Sequence, residues 1–277
     1  MTGKAVTKCC LVLLTIVAAT DAFCYRKSVP KNQENAEVLG LTLVGNYSIW
    51  VCVQSPDIAA DLERAPKINT TQIWFSMSKV EKLKSEAFAK FAEKLIKIEI
   101  WDSKLAEIED GALKGLKELK GLVLPRNELT TVKAAWFKDT VNLLELNLMY
   151  NRIQSLEFEF LKLVPALINL DLRGNELIAL PTDFIRQLPV SLRRLNIYSN
   201  PLNYRQMIEV MEWSKAKDDK TNDTKLKELK HVFNITKICL EDKTILDKNT
   251  EAINKCVEDK MNNEIAFISG NKTAVKV

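Results

Sequence analysis

The sequence predicts an α/β solenoid: a parallel sheet of stacked repeats, closed by strands at its N-terminal end and by helices at its C-terminal end. Three observations predict it. A short apolar pattern recurs in register across residues 70–202, a second apolar set follows most copies, and all six cysteines lie outside the repeated stretch.

The pattern is clearest at Leu119, Leu122, Leu124, Asn127 and Leu129. It returns as Leu143, Leu146, Leu148, Asn151 and Ile153, then as Leu167, Leu170, Leu172, Asn175 and Leu177, with the asparagines 24 residues apart. A further copy follows as Leu192, Leu195, Ile197, Asn200 and Leu202. One precedes as Leu95, Ile98, Ile100, Ser103 and Leu105, and a weaker one as Thr70, Ile73, Phe75, Ser78 and Val80.

The fourth and sixth positions alternate along a short strand and point to one side, so stacked copies give a parallel sheet over an apolar ridge. The ninth position carries an amide that can satisfy buried backbone groups where the chain leaves the strand. Ser78 and Ser103 reach less far, which predicts a less regular first pair of turns. The return path supplies Leu83 and Phe88, Ile108 and Leu113, Val132 and Phe137, Leu156 and Phe160, and Leu180 and Phe184, which close the core from behind. No single repeat buries its own face, so both ends need caps.

This repeat resembles the extracellular leucine-rich repeat family. The short secreted form is similar to insect leucine-rich immune-type proteins, although the double-cysteine motif and longer coiled coil common in those proteins are missing from residues 23–277. The resemblance implies a secreted recognition module that holds a protein or peptide ligand on its concave face, with a role in innate immunity. A matrix assembly protein and a hydrolase or inhibitor with an unrecognised site are the alternatives. Asn200 to Tyr204 and Trp213 look like the start of the family's C-terminal flanking domain, but Tyr204 and Gln206 stand where that domain carries cysteines.

Residues 1–22 read as a signal peptide: Lys4 and Lys8 precede an apolar run from Cys9 to Ala19, and small or polar residues follow to Ala22. The remaining divisions are an N-terminal cap at 23–69, six repeats at 70–202 and a C-terminal cap at 203–277. In the cap, Leu39 to Leu43 and Ile49 to Val53 alternate and are expected to pair as strands against the first repeat. Leu226, Leu229 and Phe233 lie at helical spacing, predicting a helix on the last repeat, with another from Thr250 to Met261.

Removal of the signal leaves Cys24, Cys52, Cys239 and Cys256, two at each end. Four cysteines in an oxidising compartment allow three pairings. Six strands at ~4.8 Å put roughly 24 Å between the ends, too far for a bridge. Cys24–Cys52 and Cys239–Cys256 are therefore expected, with an interchain bond, and hence a dimer rather than a monomer, as the rival. Sequons at Asn46, Asn69, Asn222, Asn234 and Asn271 agree with an extracellular location.

The 40 basic and 36 acidic residues leave no strong field for nucleic acid, and no second apolar stretch is long enough to span a membrane. The single histidine, His231, cannot build a multi-histidine metal centre, and no serine elbow, glycine-rich loop or clustered ligand spacing appears. No enzyme activity, cofactor or metal is therefore expected. Binding falls to the strand residues facing away from the core. Among these, Trp74, Trp101, Arg126, Met149, Tyr150, Arg173, Arg194 and Tyr198 are of types that anchor protein interfaces.

Overall fold

The computed structural model describes residues 22–29, 37–38, 41–42, 47–217, 224–245 and 250–271. Its main sheet has eight strands in chain order: β1 (Phe23–Val29), β2 (Tyr47–Val53), β3 (Thr70–Ser76), β4 (Lys97–Trp101), β5 (Gly121–Val123), β6 (Glu145–Asn147), β7 (Asn169–Asp171) and β8 (Arg194–Asn196). Only β1 runs antiparallel to its neighbour; from β2 onward every pairing is parallel. The register follows the repeat, with Ile73, Ile98, Leu122, Leu146, Leu170 and Leu195 opposite one another.

Those residues and the sixth-position set from Phe75 to Ile197 are all buried, in one continuous core. The return path closes it with Phe88, Phe137, Phe160 and Phe184, each buried. The Phe137 and Phe160 rings meet at 5.1 Å, which carries aromatic packing from one repeat to the next. Glu157, on the outer side, is more than a solvated charge, since its carboxylate accepts from the Ala134 N–H at 2.8 Å. Asp139 does the same for Gly115 at 2.7 Å.

The turn out of each strand is uniform. Met77, Asp102, Arg126, Tyr150, Gly174 and Ser199 fill the eighth position of successive repeats, and all have positive φ, between 50° and 66°. This conformation is costly for residues other than glycine. It aims the N–H of the first five at the carbonyl of the following turn: Met77 to Trp101, Asp102 to Pro125, Arg126 to Met149, Tyr150 to Arg173 and Gly174 to Tyr198, at 2.9–3.2 Å. The hydrogen-bond ladder thus continues past the strands.

The ninth position then fills the bend. Asn127 Oδ1 accepts from Ser103 N and Leu105 N, while its Nδ2 donates to Ile100 O and Pro125 O. Asn151, Asn175 and Asn200 each accept from a backbone N–H of the preceding turn and donate to carbonyls there and in their own turn. The serines do not make the first turns irregular. Ser78 Oγ accepts from Ser55 N at 3.0 Å and Ser103 Oγ from Ser78 N at 3.1 Å, and each donates to a carbonyl two residues earlier. Each hydroxyl thus takes the ninth-position N–H of the preceding turn, as Asn127 also does, but not the eleventh-position N–H that all four asparagines accept.

The same pattern begins one turn before Thr70, since Gln54 has φ 54° and donates to Ser76 O at 2.9 Å. Ser55 Oγ donates to the buried Asp61, which Arg64 also holds, at the foot of helix α1 (Ile58–Arg64). The expected partner of β2 is replaced. Residues 37–38 pair with 41–42 in a small hairpin of their own, and β1 takes the outer edge instead. Cys24 lies directly opposite Cys52 in that pairing and is bonded to it.

Short helices α2 (Phe160–Leu163) and α3 (Phe184–Gln187) lie on the return path. At the C-terminal end, helix α4 (Tyr204–Ala216) seals the stack, with Val210 buried and Met207 and Trp213 packed on the main core. Asn203 caps it, accepting from Gln206 N at 3.0 Å. The helix on the last repeat is thus α4, ahead of the segment the apolar spacing marks. Helices α5 (Thr224–Glu241) and α6 (Thr250–Asn271) instead form a hairpin with its own small core of Ile235, Cys239, Ile253 and Val257. Cys239 and Cys256 are bonded within it.

Candidate protein-binding face

Side chains at the third, fifth, seventh and eighth positions leave the core and cover the other side of the sheet. Register fixes their neighbours. The third-position row reads Gln72, Lys97, Gly121, Glu145, Asn169 and Arg194, and the fifth reads Trp74, Glu99, Val123, Asn147, Asp171 and Asn196.

Exposure along the face is uneven. Trp74, Met77 and Tyr150 are the large hydrophobic side chains of this face that are exposed, at 36%, 54% and 44%. Arg126 and Arg194 are exposed, and Trp101, Met149, Arg173 and Tyr198 are half-buried. Val123 is buried, in register between the longer side chains of Glu99 and Asn147.

Two arginines lie on tyrosines of the next turn, at the eighth position for Arg126 and Tyr150 and at the seventh for Arg173 and Tyr198. The Arg126 guanidinium lies 5.6 Å from the centre of the Tyr150 ring, and that of Arg173 lies 5.7 Å from the centre of Tyr198. Arg173 also donates to the Tyr198 hydroxyl at 2.9 Å and pairs with Asp171 at 2.9 Å. Gly174 makes room for Tyr150. A β-carbon at residue 174 would collide with that ring.

Between these pairs the floor is polar and partly dry. Lys97 lies across Gly121 and pairs with Glu99 at 2.8 Å, and Glu99 also accepts from Trp101 Nε1 at 3.0 Å. Burial pushes the Glu145 carboxyl above its ordinary value; Lys97 and Arg194 oppose the shift, and Glu99 and Asp171 add to it. Asp171 is likewise pushed up by burial, against the pull of Arg173. Two polar atoms of this floor, Asn169 Oδ1 and Arg173 Nε, are buried without a hydrogen-bond partner.

A leucine-rich repeat family model matches residues 93–153, inside the stack whose turns are described above. The fold is a leucine-rich repeat solenoid. Among solved structures, the chain is similar to one titled as a crystal structure of a TLR13–ssRNA13 complex, at 19% identity and a TM-score of 0.46. That similarity covers 56% of this chain and 25% of the other, so this chain spans about a quarter of its neighbour's length. No curated protein matches the sequence.

Within the leucine-rich repeat stack, the residues singled out from the sequence fall into groups. Arg126 with Tyr150 and Arg173 with Tyr198 form contacting pairs, while Trp74 and Trp101 lie on the first two repeats. Arg194 acts electrostatically on Glu145 from the third-position row. The carboxylates of half-buried Glu145 and buried Asp171 read from the sequence only as mixed surface charge. Their burial depends on neighbours 24 residues or more away.

Of the sequons, Asn69 and Asn234 are exposed, and Asn271 closes α6. Asn46, Asn222 and nearly all of the signal segment lie outside the described residues. Cys24, Cys52 and Asp61 present ligand atoms within 4.8 Å of one another, but both sulfurs are committed to the disulfide. Among the described residues, no helix is long and apolar enough to cross a membrane.

Proposed function

We propose that this chain is a secreted recognition protein whose concave face binds a protein or peptide partner. The observation that carries the reading is the line of Arg126, Tyr150, Arg173 and Tyr198, four interface-forming side chains in two contacting pairs on repeats three to six. Residues held by cation–π and hydrogen-bond contacts before binding lose less conformational entropy when a partner arrives. The two disulfides and the exposed sequons Asn69 and Asn234 support an extracellular setting. The immune role belongs to this proposal through the resemblance of the repeats.

The test is capture of partners from the native extracellular fluid by the glycosylated chain, alongside a variant with Trp101, Arg126, Tyr150 and Tyr198 changed together to Ala. Capture should be abolished while the circular dichroism spectrum is retained. Capture by the folded variant at wild-type level would move the site to the convex side or to a cap.

A further inference from the structure

The concave face carries four charges of each sign, Lys97, Arg126, Arg173 and Arg194 against Glu99, Asp102, Glu145 and Asp171, but they are unevenly spread. Glu99 is engaged by Lys97 and Asp171 by Arg173, while Glu145 is half-buried and interacts with Lys97 and Arg194. Arg126 is exposed and has no carboxylate partner among the described residues. Arg194 is exposed at the opposite edge. The one exposed carboxylate of the eighth-position row, Asp102, lies a turn before Arg126. Repeats three to six therefore carry one positive charge in excess, Arg126, Arg173 and Arg194 against Glu145 and Asp171, and the first two repeats offer Trp74, Met77 and Trp101.

We propose that the strip of Arg126, Tyr150, Arg173 and Tyr198 binds the carboxylates of an acidic peptide segment, with an apolar part of the same segment lying over Trp74 and Met77. The inference rests on the proposed role of this face and names the chemistry of its partner. Guanidinium groups take carboxylates in paired hydrogen bonds, and the Tyr150 ring lies beside that of Arg126. Single-stranded nucleic acid fits less well. Base stacking needs an open aromatic face, and both rings already carry a guanidinium, with Gly174 also against Tyr150. What the strip offers outward is hydrogen-bond donors.

The probe is a fluorescein-labelled random copolymer of glutamate and tyrosine, titrated with the full chain by fluorescence anisotropy at about 0.15 M salt, where exposed charges more than ~8 Å apart are largely screened. Poly-lysine and a single-stranded RNA oligomer serve as comparisons. Saturable binding of the copolymer is expected, with poly-lysine unbound and RNA weaker. Arg126→Gln, at an exposed position where folding is not at stake, should weaken copolymer binding about tenfold, and Arg126→Lys should restore part of it. No copolymer binding, equal binding by Arg126→Gln, or tighter binding of RNA overturns the assignment. If the four-residue variant loses native partners while the copolymer is not bound, this chemistry falls and the proposed function stands. If native capture is unchanged, the proposed function falls on its own test.

Discussion

Replacing Asn151 by alanine removes one rung of the ladder that shapes every turn. Its Oδ1 accepts from Leu129 N at 3.2 Å, and its Nδ2 donates to Leu124 O at 2.9 Å and to Leu148 O at 3.0 Å. The loss is not shared equally. Leu148 O keeps a second donor, Asn175 Nδ2 at 3.0 Å, whereas the Leu129 N–H and the Leu124 carbonyl lose Asn151. Two buried backbone groups at about 1–3 kcal/mol each give an expected cost of about 2–6 kcal/mol. In a chain of this size each kcal/mol lowers Tm by about 2–4 °C, so thermal melts resolve the effect easily. Asn151→Ser is the informative control. Ser78 and Ser103 accept the N–H at the ninth position of the preceding turn, whereas Asn151 accepts that of Leu129 at the eleventh, so serine should leave most of the loss in place. Denaturant midpoints at constant slope measure both variants. A cost below about 0.5 kcal/mol for alanine, or a serine variant as stable as wild type, would refute this account of the turn.

Two further outcomes follow from the concave face. Because burial raises the Glu145 carboxyl in the folded state, the native chain binds this proton more tightly than the unfolded one, and the resulting cost is present above the raised value and relieved below the ordinary value of 4.5. Glu145→Gln should therefore be more stable than wild type at neutral pH, and the advantage should shrink as pH falls through that window; urea midpoints across pH check it, and a pH-independent difference contradicts it. Gly174→Ala should cost at least ~1 kcal/mol from its φ of 66° alone and should also displace the Tyr150 ring, so the variant melts earlier and Tyr150 becomes more reactive to iodination.

Much of this fold was legible because its signals are local and repeat in register. The apolar ridge from Ile73 to Leu195 and the return-path phenylalanines could be read from spacing alone, since a period sustained over many residues admits few arrangements. The outer strand was not. Phe23–Val29 lacks strict alternation, and its place depends on pairing with residues 47–53, a contact across the intervening chain. The left-handed eighth position was also hidden, because only Gly174 among its six occupants has the residue type that advertises positive φ. Arg126 and Tyr150 appear unrelated until residues 24 apart are known to be adjacent turns. Glu145 shows why charge was the least readable feature. Its carboxyl is perturbed by Lys97, Glu99, Asp171 and Arg194, which lie on three other strands.

The left-handed bend joins the fold to the function proposed for it. Each such residue spends conformational energy so that its N–H reaches the next turn, and without that bond the backbone at the strand end would need another partner. The same rotation carries the eighth side chain out of the sheet's alternation and into line with its counterparts in neighbouring turns, which is why Arg126 can cover Tyr150 and Tyr150 can rest against Gly174. Sequence choice at this position is therefore constrained by the backbone but open in chemistry, as Met, Asp, Arg, Tyr, Gly and Ser show. A repeat stack of this kind changes what it binds by changing that row while leaving the core and the amide ladder alone. Exchanging Arg126 for the Asp of the preceding turn should therefore reverse the charge preference of the face without shifting its melting temperature by more than a few degrees, since an exposed substitution at an already left-handed site costs little in packing.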